Sequence, residues 1–319
     1  MPAMRVMRAC LRLIASVAVA AAVLVPALGV AQSRKPITIG LAVANLDADF
    51  FNQIKQSVEA RAGQKGIKVI TVDAKGDSAT QTQQVRELIA GKIDALIYIP
   101  AGATAAGVPV QAAKAAGIPV VAVDRNAPDA PGDTFIATDS VSAARTLGEH
   151  VIKVTGGTGV VAVVQGQLGT TPELDRDRGF NEALAKAPGL KIVAKQDSKG
   201  WRQDEGFAIA QAMLQRHPAI TVFFGRADAL ALGAAQAVRT ARLDHKVWVV
   251  GFDGDISGLK AVKSGVLVAT MTQQTQLMGR LSVDAALDLI AGKKVPPLQL
   301  QPAALTTKDN VDRYIVEHP

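Results

Sequence analysis

The sequence predicts an α/β protein made of two doubly wound, Rossmann-like domains with parallel sheets. Short β-branched, apolar runs alternate regularly with segments in which apolar residues recur at helical spacing. The runs are apolar on both faces, as parallel strands buried between layers of helices are. The alternation contains more elements than one sheet of ~4–6 strands can use, so we expect two halves that meet near Thr138.

Strands and helices alternate without interruption in the first half. Phe51, Ile54 and Val58 recur at three and four residues, which indicates a helix, and Gly117 stands where it can cap the end of another. The predicted strands are 37–44, 68–74, 95–100, 119–124 and 134–138. The predicted helices are 50–65, 79–91 and 103–116.

The same alternation starts again in the second half. Ser140 is the predicted N-cap of its first helix, because a serine hydroxyl can accept from a first-turn N–H. The predicted strands are 159–166, 191–196, 220–225, 247–252 and 266–272. The predicted helices are 141–154, 172–187, 204–216, 227–242, 256–264 and 276–291.

Residues 1–31 have the pattern of a secretory signal peptide. Three arginines and no acidic residue make the first twelve residues basic, residues 13–30 are almost entirely apolar, and small residues precede a cut after Ala31. A transmembrane anchor is the alternative, but the apolar run is short for a span and Pro26 interrupts it. We therefore expect export to the periplasm with cleavage near Ala31.

Removal of this segment changes both the charge and the cysteine count. The formal net charge of the full chain is +7, and loss of the three arginines lowers it to +4. Cys10 is the only cysteine and is lost with the segment, so the exported chain does not depend on disulfides. The remaining basic residues are spread out, which argues against a nucleic-acid partner.

The sequence lacks the usual motifs for catalysis and for cofactor or metal binding. No G-x-x-x-x-G-K-[ST] occurs, and the glycines of 156–159 precede a strand, whereas dinucleotide-binding glycines follow one. No G-x-S-x-G elbow occurs, and the four histidines are not paired at metal-ligand spacing. We therefore expect no enzyme activity, no cofactor and no metal site.

Aromatic and charged residues instead follow the carboxyl ends of the predicted strands. Ligands bind at that edge of open α/β sheets. Aromatic rings stack on the apolar C–H faces of a sugar, while carboxylates and guanidinium groups bond to its hydroxyls. The candidate ligand-binding residues are Asp47, Phe50, Phe51, Asp124, Arg125, Arg176, Trp201, Arg226, Asp253 and Gln273.

Five other charged residues near these strand ends have structural interpretations. Asp49, Asp228 and Asp255 stand where their carboxylates can cap helices. Arg178 and Arg202 stand where solvent can reach their side chains. We expect these five to be structural and not to bind ligand.

Six short motifs together carry a family resemblance. They are Phe50-Phe51, Val121–Arg125 (VAVDR), Arg176-x-x-Gly179-Phe180, Asp228-x-x-Ala231-Leu232-Gly233, Val249–Gly254 (VVGFDG) and Ala269–Gln273 (ATMTQ). In this order and spacing they resemble the periplasmic sugar-binding proteins of ABC importers, in the ribose-binding-like branch. The resemblance extends over nearly the whole exported chain, and it implies the type I periplasmic-binding-protein fold.

This resemblance implies a specific domain organisation. Two lobes would be joined by a three-crossing hinge, with crossings near Thr138, Gln273 and Pro302. The first lobe would comprise residues 36–138 and 274–302, and the second lobe residues 139–273 and 303–319. A sugar would be clamped between them.

The resemblance also implies roles for the candidate residues. The residues that would sandwich the sugar ring are Phe50, Phe51 and Trp201. The residues that would bond to its hydroxyls are Asp124, Arg125, Arg176, Asp253 and Gln273. Since both lobes contribute, ligand binding would favour a closed form.

The chain departs from ribose-binding members at three positions. Those members carry amide side chains where this chain has Ala48, Ile99 and Ala227. Either Asp47 and Arg226 replace the lost contacts, or the ligand is a polyol, a deoxysugar or another pentose.

The sequence thus predicts a monomeric periplasmic solute-binding protein that delivers a pentose-sized monosaccharide or related polyol to an ABC transporter permease in the inner membrane. The alternative is a sensory protein that presents its ligand to a chemoreceptor or sensor kinase. A transcriptional regulator of this fold would need a helix-turn-helix where the signal peptide stands. An exported enzyme would need a cofactor fingerprint or an acid–base pair, and neither is found.

Overall fold

The computed structural model describes residues 36–318, which form two six-stranded sheets covered by ten helices. The predicted signal peptide lies outside the described residues. The elements of the first half are β1 (Thr38–Val43), α1 (Asp49–Gln64), β2 (Lys68–Asp73), α2 (Ser78–Ala90), β3 (Ala95–Tyr98), α3 (Gly107–Ala115), β4 (Val120–Val123) and β5 (Thr134–Thr138).

The second half continues the alternation of strands and helices. Its elements are α4 (Ser140–Thr155), β6 (Thr158–Gln165), α5 (Thr171–Leu184), β7 (Gly189–Asp197), α6 (Gln203–Arg216), β8 (Val222–Gly225), α7 (Asp228–Ala241), β9 (Trp248–Val250), α8 (Ile256–Ser264) and β10 (Ala269–Thr272). The C-terminal elements are α9 (Thr275–Ile290), β11 (Leu298–Gln301), β12 (Ala304–Thr307) and α10 (Val311–Val316). Within residues 36–318, no helix is both long enough and apolar enough to cross a bilayer.

The strand order confirms the predicted α/β class with two doubly wound sheets. The first sheet has the order β11-β5-β4-β3-β1-β2, and all of its pairs are parallel. The second sheet has the order β12-β10-β9-β8-β6-β7. The prediction that all strands run parallel was wrong for one strand, because β12 runs antiparallel to β10. Only two residues separate β12 from β11. A parallel strand needs a longer crossover connection, usually a helix, and none precedes β12.

We call the first sheet with α1, α2, α3 and α9 the first lobe, and the remainder the second lobe. The chain passes between the sheets after β5, after β10 and between β11 and β12. The proposed domain limits near Thr138, Gln273 and Pro302 fall in these three connections. That the lobes move as separate bodies remains a prediction.

The sequence pattern did not indicate β11, β12 or α10. Each strand has only four residues and lies at the edge of its sheet, where half-exposed side chains replace a continuous apolar run. The N-cap prediction for α4 was also off by one residue, because Asp139 Oδ1 accepts from Ser142 N at 3.1 Å.

Candidate functional site

A cavity of about 350 Å³ lies between the two lobes, at the carboxyl ends of the central strands. Both lobes contribute to its wall, and eight of the ten candidate residues line it. These are Asp47, Phe50, Phe51, Asp124, Arg125, Arg176, Trp201 and Asp253. Residues that follow the ends of several strands therefore meet at one cavity, and that they bind a ligand there stays a prediction.

The first lobe supplies two aromatic rings from the helix that follows β1. Phe50 and Phe51 lie in the first turn of α1, with ring centroids 5.3 Å apart in an edge-to-face arrangement. Only 7% and 6% of their surfaces are exposed. Burial in the lobe core fixes both rings, so they form a rigid part of the cavity wall.

Asp124 and Arg125 follow β4 and form a buried pair in the first lobe. Asp124 Oδ2 lies 3.5 Å from Arg125 Nε. Arg125 Nη1 donates to the carbonyls of Pro100 and Ala101 at 3.2 and 3.3 Å, and its guanidinium lies 5.2 Å from the Phe51 ring centroid. Burial raises the pKa of Asp124 and lowers that of Arg125, each opposed by the charge of the other.

Arg176, on α5, is the corresponding cation of the second lobe. Its Nη1 donates to the carbonyl oxygen of Arg226, and its Nη2 lies 3.2 Å from Asp253 Oδ1. The guanidinium also stacks over Phe252, 3.9 Å from the ring centroid. Three separate partners therefore hold Arg176 in one orientation.

Trp201 supplies the aromatic face of the second lobe. Its indole lies against Gly166, where a β-carbon would come within 1.8 Å of Cη2, so only glycine leaves room for the ring. Arg125 and Arg176 lie 5.5 and 5.7 Å from the indole centroid. Trp201 thus lies within cation–π distance of one arginine from each lobe.

Asp253 follows β9 and completes the polar wall. Its Oδ1 accepts from Gln273 Nε2 at 2.8 Å in addition to its contact with Arg176. Burial raises the pKa of Asp253 to about 7, against the lowering effect of Arg176.

Three residues on the cavity wall have a positive φ, a backbone conformation that residues other than glycine rarely adopt. Their φ values are 60° for Asp124, 59° for Trp201 and 119° for Asp253. Strain of this kind persists where surrounding structure over-determines it, and it clusters at functional sites.

Two of the ten candidate residues do not reach the cavity wall. Arg226 is fully buried behind it, where it bonds to Asp177 and lies 3.8 Å from Glu173. Gln273 is also fully buried, and its amide oxygen accepts from Thr138 Oγ1 at 2.5 Å. Both therefore lie one layer behind the wall and touch the residues that line it.

The structure corrects one expectation about the three positions at which ribose-binding members carry amide side chains. Ala48 and Ala227 line the cavity, but Ile99 is fully buried in the core of the first lobe. No sugar hydroxyl would face Ile99. The loss of hydrogen-bonding groups at the cavity therefore concerns two positions, both occupied by alanine.

Several residues of the wall were not among the ten candidates. Asn45, Gln203 and Ser257 were not singled out, together with small and apolar neighbours, whereas Asp49, Arg202 and Asp255 were expected to be structural and yet line the cavity. Asp255 does cap α8, as expected, because its Oδ1 accepts from Gly258 N at 2.7 Å. The same expectation was wrong for Asp49 and Asp228, because each is the first residue of its helix and its carboxylate does not cap it. The position of these wall residues in the sequence was the available signal, because each lies within a few residues of a candidate that follows the same strand.

The two lobes contact each other across the cleft. Asn126 N donates to Thr171 Oγ1 at 3.1 Å, and Ile256 N donates to Asp49 Oδ2 at 3.3 Å. With Arg125 also over Trp201, this is a closed arrangement of the lobes.

The arrangement suits a neutral ligand with several hydroxyls. The pairs Asp124–Arg125 and Asp253–Arg176 each place a hydrogen-bond acceptor beside donors of opposite formal charge. The buried Nε atoms of both arginines lack a hydrogen-bond partner in the protein. Within residues 36–318, no three or more His, Cys, Asp or Glu side chains are grouped so that they could hold a metal ion.

Comparison with known proteins gives the family. A sequence model described as a periplasmic binding protein domain matches residues 39–294. The chain is 35% identical over 276 residues to the ribose import binding protein RbsB of Bacillus subtilis, which covers 86% of this chain and 89% of that protein. It is 34% identical over 285 residues to a xylitol-binding protein of Mycolicibacterium smegmatis, with coverage of 88% and 79%.

A solved structure shows the same fold. It is the periplasmic binding protein component of the arabinose ABC transporter from Shewanella, bound to α- and β-L-arabinofuranose. Its TM-score is 0.81 at 28% identity, and it covers 88% of this chain and 94% of that chain. The present chain belongs to the periplasmic binding protein family, whose members are solute-binding proteins. The relatives named above are binding proteins for sugars and a polyol.

Proposed function

We propose that the protein captures a pentose-sized monosaccharide or polyol between its lobes and delivers it to an ABC importer. The cavity carries this proposal, because its wall combines aromatic faces with two buried Asp–Arg pairs. A volume of about 350 Å³ lies near the small end of the range for ligand pockets. Relatives named for ribose and xylitol support the same size class.

Each polar group of the wall has a task in this proposal. The carboxylates of Asp124 and Asp253 accept from ligand hydroxyls, and Arg125 and Arg176 donate to hydroxyl or ring oxygens. These charge-assisted bonds are directional, so they select the positions of the hydroxyls. Trp201 and Phe51 cover the apolar faces of the ligand.

Capture is coupled to closure of the lobes. Donors and acceptors from both lobes reach one ligand only in the closed arrangement, so the ligand shifts the population toward that form. A permease in the inner membrane then recognises the closed form. We place the monomeric protein in the periplasm after cleavage near Ala31, and we assign it a binding role without catalysis.

Isothermal titration calorimetry against D-ribose, L-arabinose, xylitol and myo-inositol tests the binding step. We expect at least one of them to bind with a dissociation constant of about 1 μM or tighter. Absence of binding to all four, with a folded protein, would overturn the proposal. Uptake of the labelled ligand should also fall in cells that lack this protein; unchanged uptake with lost chemotaxis would favour the sensory alternative.

A further inference from the structure

Asp253 reaches the cavity from a loop with an unusual backbone. Its φ is 119°, and Gly254 follows with a φ of 69°. The backbone N–H of Asp253 donates to the carbonyl of Met271, and its carbonyl accepts from Gln273 N, both at 3.0 Å. These two bonds connect Asp253 to β10 and the residue that follows it, but they leave the N–H groups of Gly254 and Asp255 to other acceptors.

A fully buried carboxylate is the acceptor for both of these N–H groups. Asp228, the first residue of α7, has no exposed surface, and its Oδ2 accepts from Gly254 N at 2.8 Å and Asp255 N at 3.1 Å. Its Oδ1 accepts from Thr270 Oγ1 at 2.6 Å. One side chain therefore bonds to the two residues that follow Asp253 and to the neighbouring strand.

Two glycines leave the space that this carboxylate occupies. A β-carbon on Gly251 would come within 2.1 Å of Asp228 Oδ1, and one on Gly258 within 2.0 Å of Oδ2. Real β-carbons do not approach this closely. The segment 251–258 is thus shaped around the carboxylate of Asp228. That carboxylate does not itself line the cavity.

We infer that Asp228 is a positioning residue for ligand binding, which fixes the strained loop 253–255 so that the Asp253 carboxylate meets Arg176 and the ligand. This inference rests on the proposed function. The role differs from helix capping, because the N–H groups that Asp228 accepts from belong to the loop before α8 and not to its own helix. It also differs from ligand contact, because Asp228 does not line the cavity.

The test is a double-mutant cycle, measured with the sugar or polyol of the four above that binds the wild-type protein most tightly. Asp228→Ala should weaken affinity by about tenfold or more. In an Asp253→Ala background the same change should alter affinity by no more than about twofold, since Asp228 acts through Asp253. Independent, additive losses would overturn the inference, and so would wild-type affinity in Asp228→Ala.

A conservative variant separates positioning from charge. In Asp228→Asn, the amide oxygen still accepts from Gly254 and Asp255, so affinity should return to within about threefold of the wild type. Hydrogen–deuterium exchange adds a readout that needs no ligand. The amides of Gly254 and Asp255 should exchange faster in Asp228→Ala and at the wild-type rate in Asp228→Asn; unchanged exchange in Asp228→Ala would overturn the inference.

A second pair of variants covers the case in which Asp228→Ala fails to fold. In Gly258→Ala the added methyl group would clash with Asp228 Oδ2 and displace that carboxylate, so affinity should fall by about tenfold. Gly63→Ala is its matched control, because a β-carbon there meets nothing within 4 Å, and it should bind as the wild type does. Equal affinity of both would overturn the inference. Failure of the wild type to bind any of the four ligands would instead remove the proposed function itself.

Discussion

The two walls of the cavity contain similar side chains but are held in different ways. In the first lobe, Arg125 is anchored by the carbonyls of Pro100 and Ala101, which belong to the same lobe. A buried glutamine, Gln81, holds that loop in turn, because it accepts from Ala101 N at 2.7 Å and donates to the carbonyl of Ile99 at 2.8 Å. Every one of these supports lies within the first lobe.

The second wall is tied to the connection between the lobes. Asp253 accepts from Gln273, which also accepts from Thr138 at the end of β5 in the first sheet. A buried glutamine again supports the wall, but this one lies where the chain passes between the sheets. Changes behind the first wall should therefore alter affinity alone, whereas changes behind the second wall should also alter closure.

The largest effect is expected from Arg176→Ala. The substitution leaves Asp253 buried without its cation, and truncation of one partner of a buried charge pair costs about 2–5 kcal/mol. Affinity measured by calorimetry should therefore fall by about 100-fold or more. Arg178→Ala is the control, since that side chain is 61% exposed on the same helix, and it should leave affinity unchanged. Equal affinity of the two variants would remove Arg176 from the site.

The two buried glutamines give the most direct comparison of the walls. Gln273→Met and Gln81→Met each replace a buried amide by an apolar side chain of similar shape, and each should weaken affinity by about tenfold because carbonyl, carboxylate or N–H partners lose a bond. Only Gln273→Met should change the ligand-free radius of gyration measured by small-angle X-ray scattering. An equal change in both variants, or in neither, would contradict the distinction between the walls.

The affinity should rise with pH through the titration of Asp253. In the closed arrangement of the lobes, burial raises its pKa to about 7. Ligand hydroxyls that donate to the carboxylate favour its ionised form, so the pKa falls on binding and a proton is released below about pH 7. Calorimetry should show about three- to tenfold tighter binding at about pH 8 than at about pH 5.5. Affinity that falls over this range would contradict the assignment.

Asp253→Asn is the control for this pH dependence and should remove most of the change in affinity with pH.

Asp253 should have the opposite effect on stability, which falls as pH rises. Its carboxyl has an ordinary pKa of 3.8 when unfolded and about 7 when folded, so the native state binds the proton more tightly between these values. Its contribution to the free energy of unfolding is therefore lost as pH rises from about 4 to about 7, which chemical denaturation can measure.

The smallest effect is expected at the contact between the lobes. Asp49→Ala removes the acceptor for Ile256 N, a bond of 3.3 Å that solvent reaches. Exposed bonds of this kind contribute little, so affinity should fall by about threefold or less through a smaller closed population. A loss as large as that of Gln273→Met would show that the rim, and not the hinge, controls closure.

Particular residues show how far the sequence could predict this site. The strand ends identified eight wall residues because parallel strands bring their carboxyl ends to one edge. Arg226 and Gln273 were placed on the wall for the same reason, yet both side chains are fully buried behind it. Side chains alternate between the faces of a strand, and the backbone just beyond its end decides which way they point. The positive φ of Asp253 illustrates a feature that residue spacing does not indicate.

The central claim is that ligand closes the two lobes on one cavity, and a distance measurement between the lobes tests it most directly. Cys10 is the only cysteine, so a chain without residues 1–31 can carry spin labels at Arg86→Cys on α2 and Gln211→Cys on α6, both exposed helix positions. With saturating ligand, pulsed electron resonance should show one short, narrow distance distribution, and without ligand a longer and broader one. The same distribution in both states, in a protein that binds the ligand, would contradict the claim.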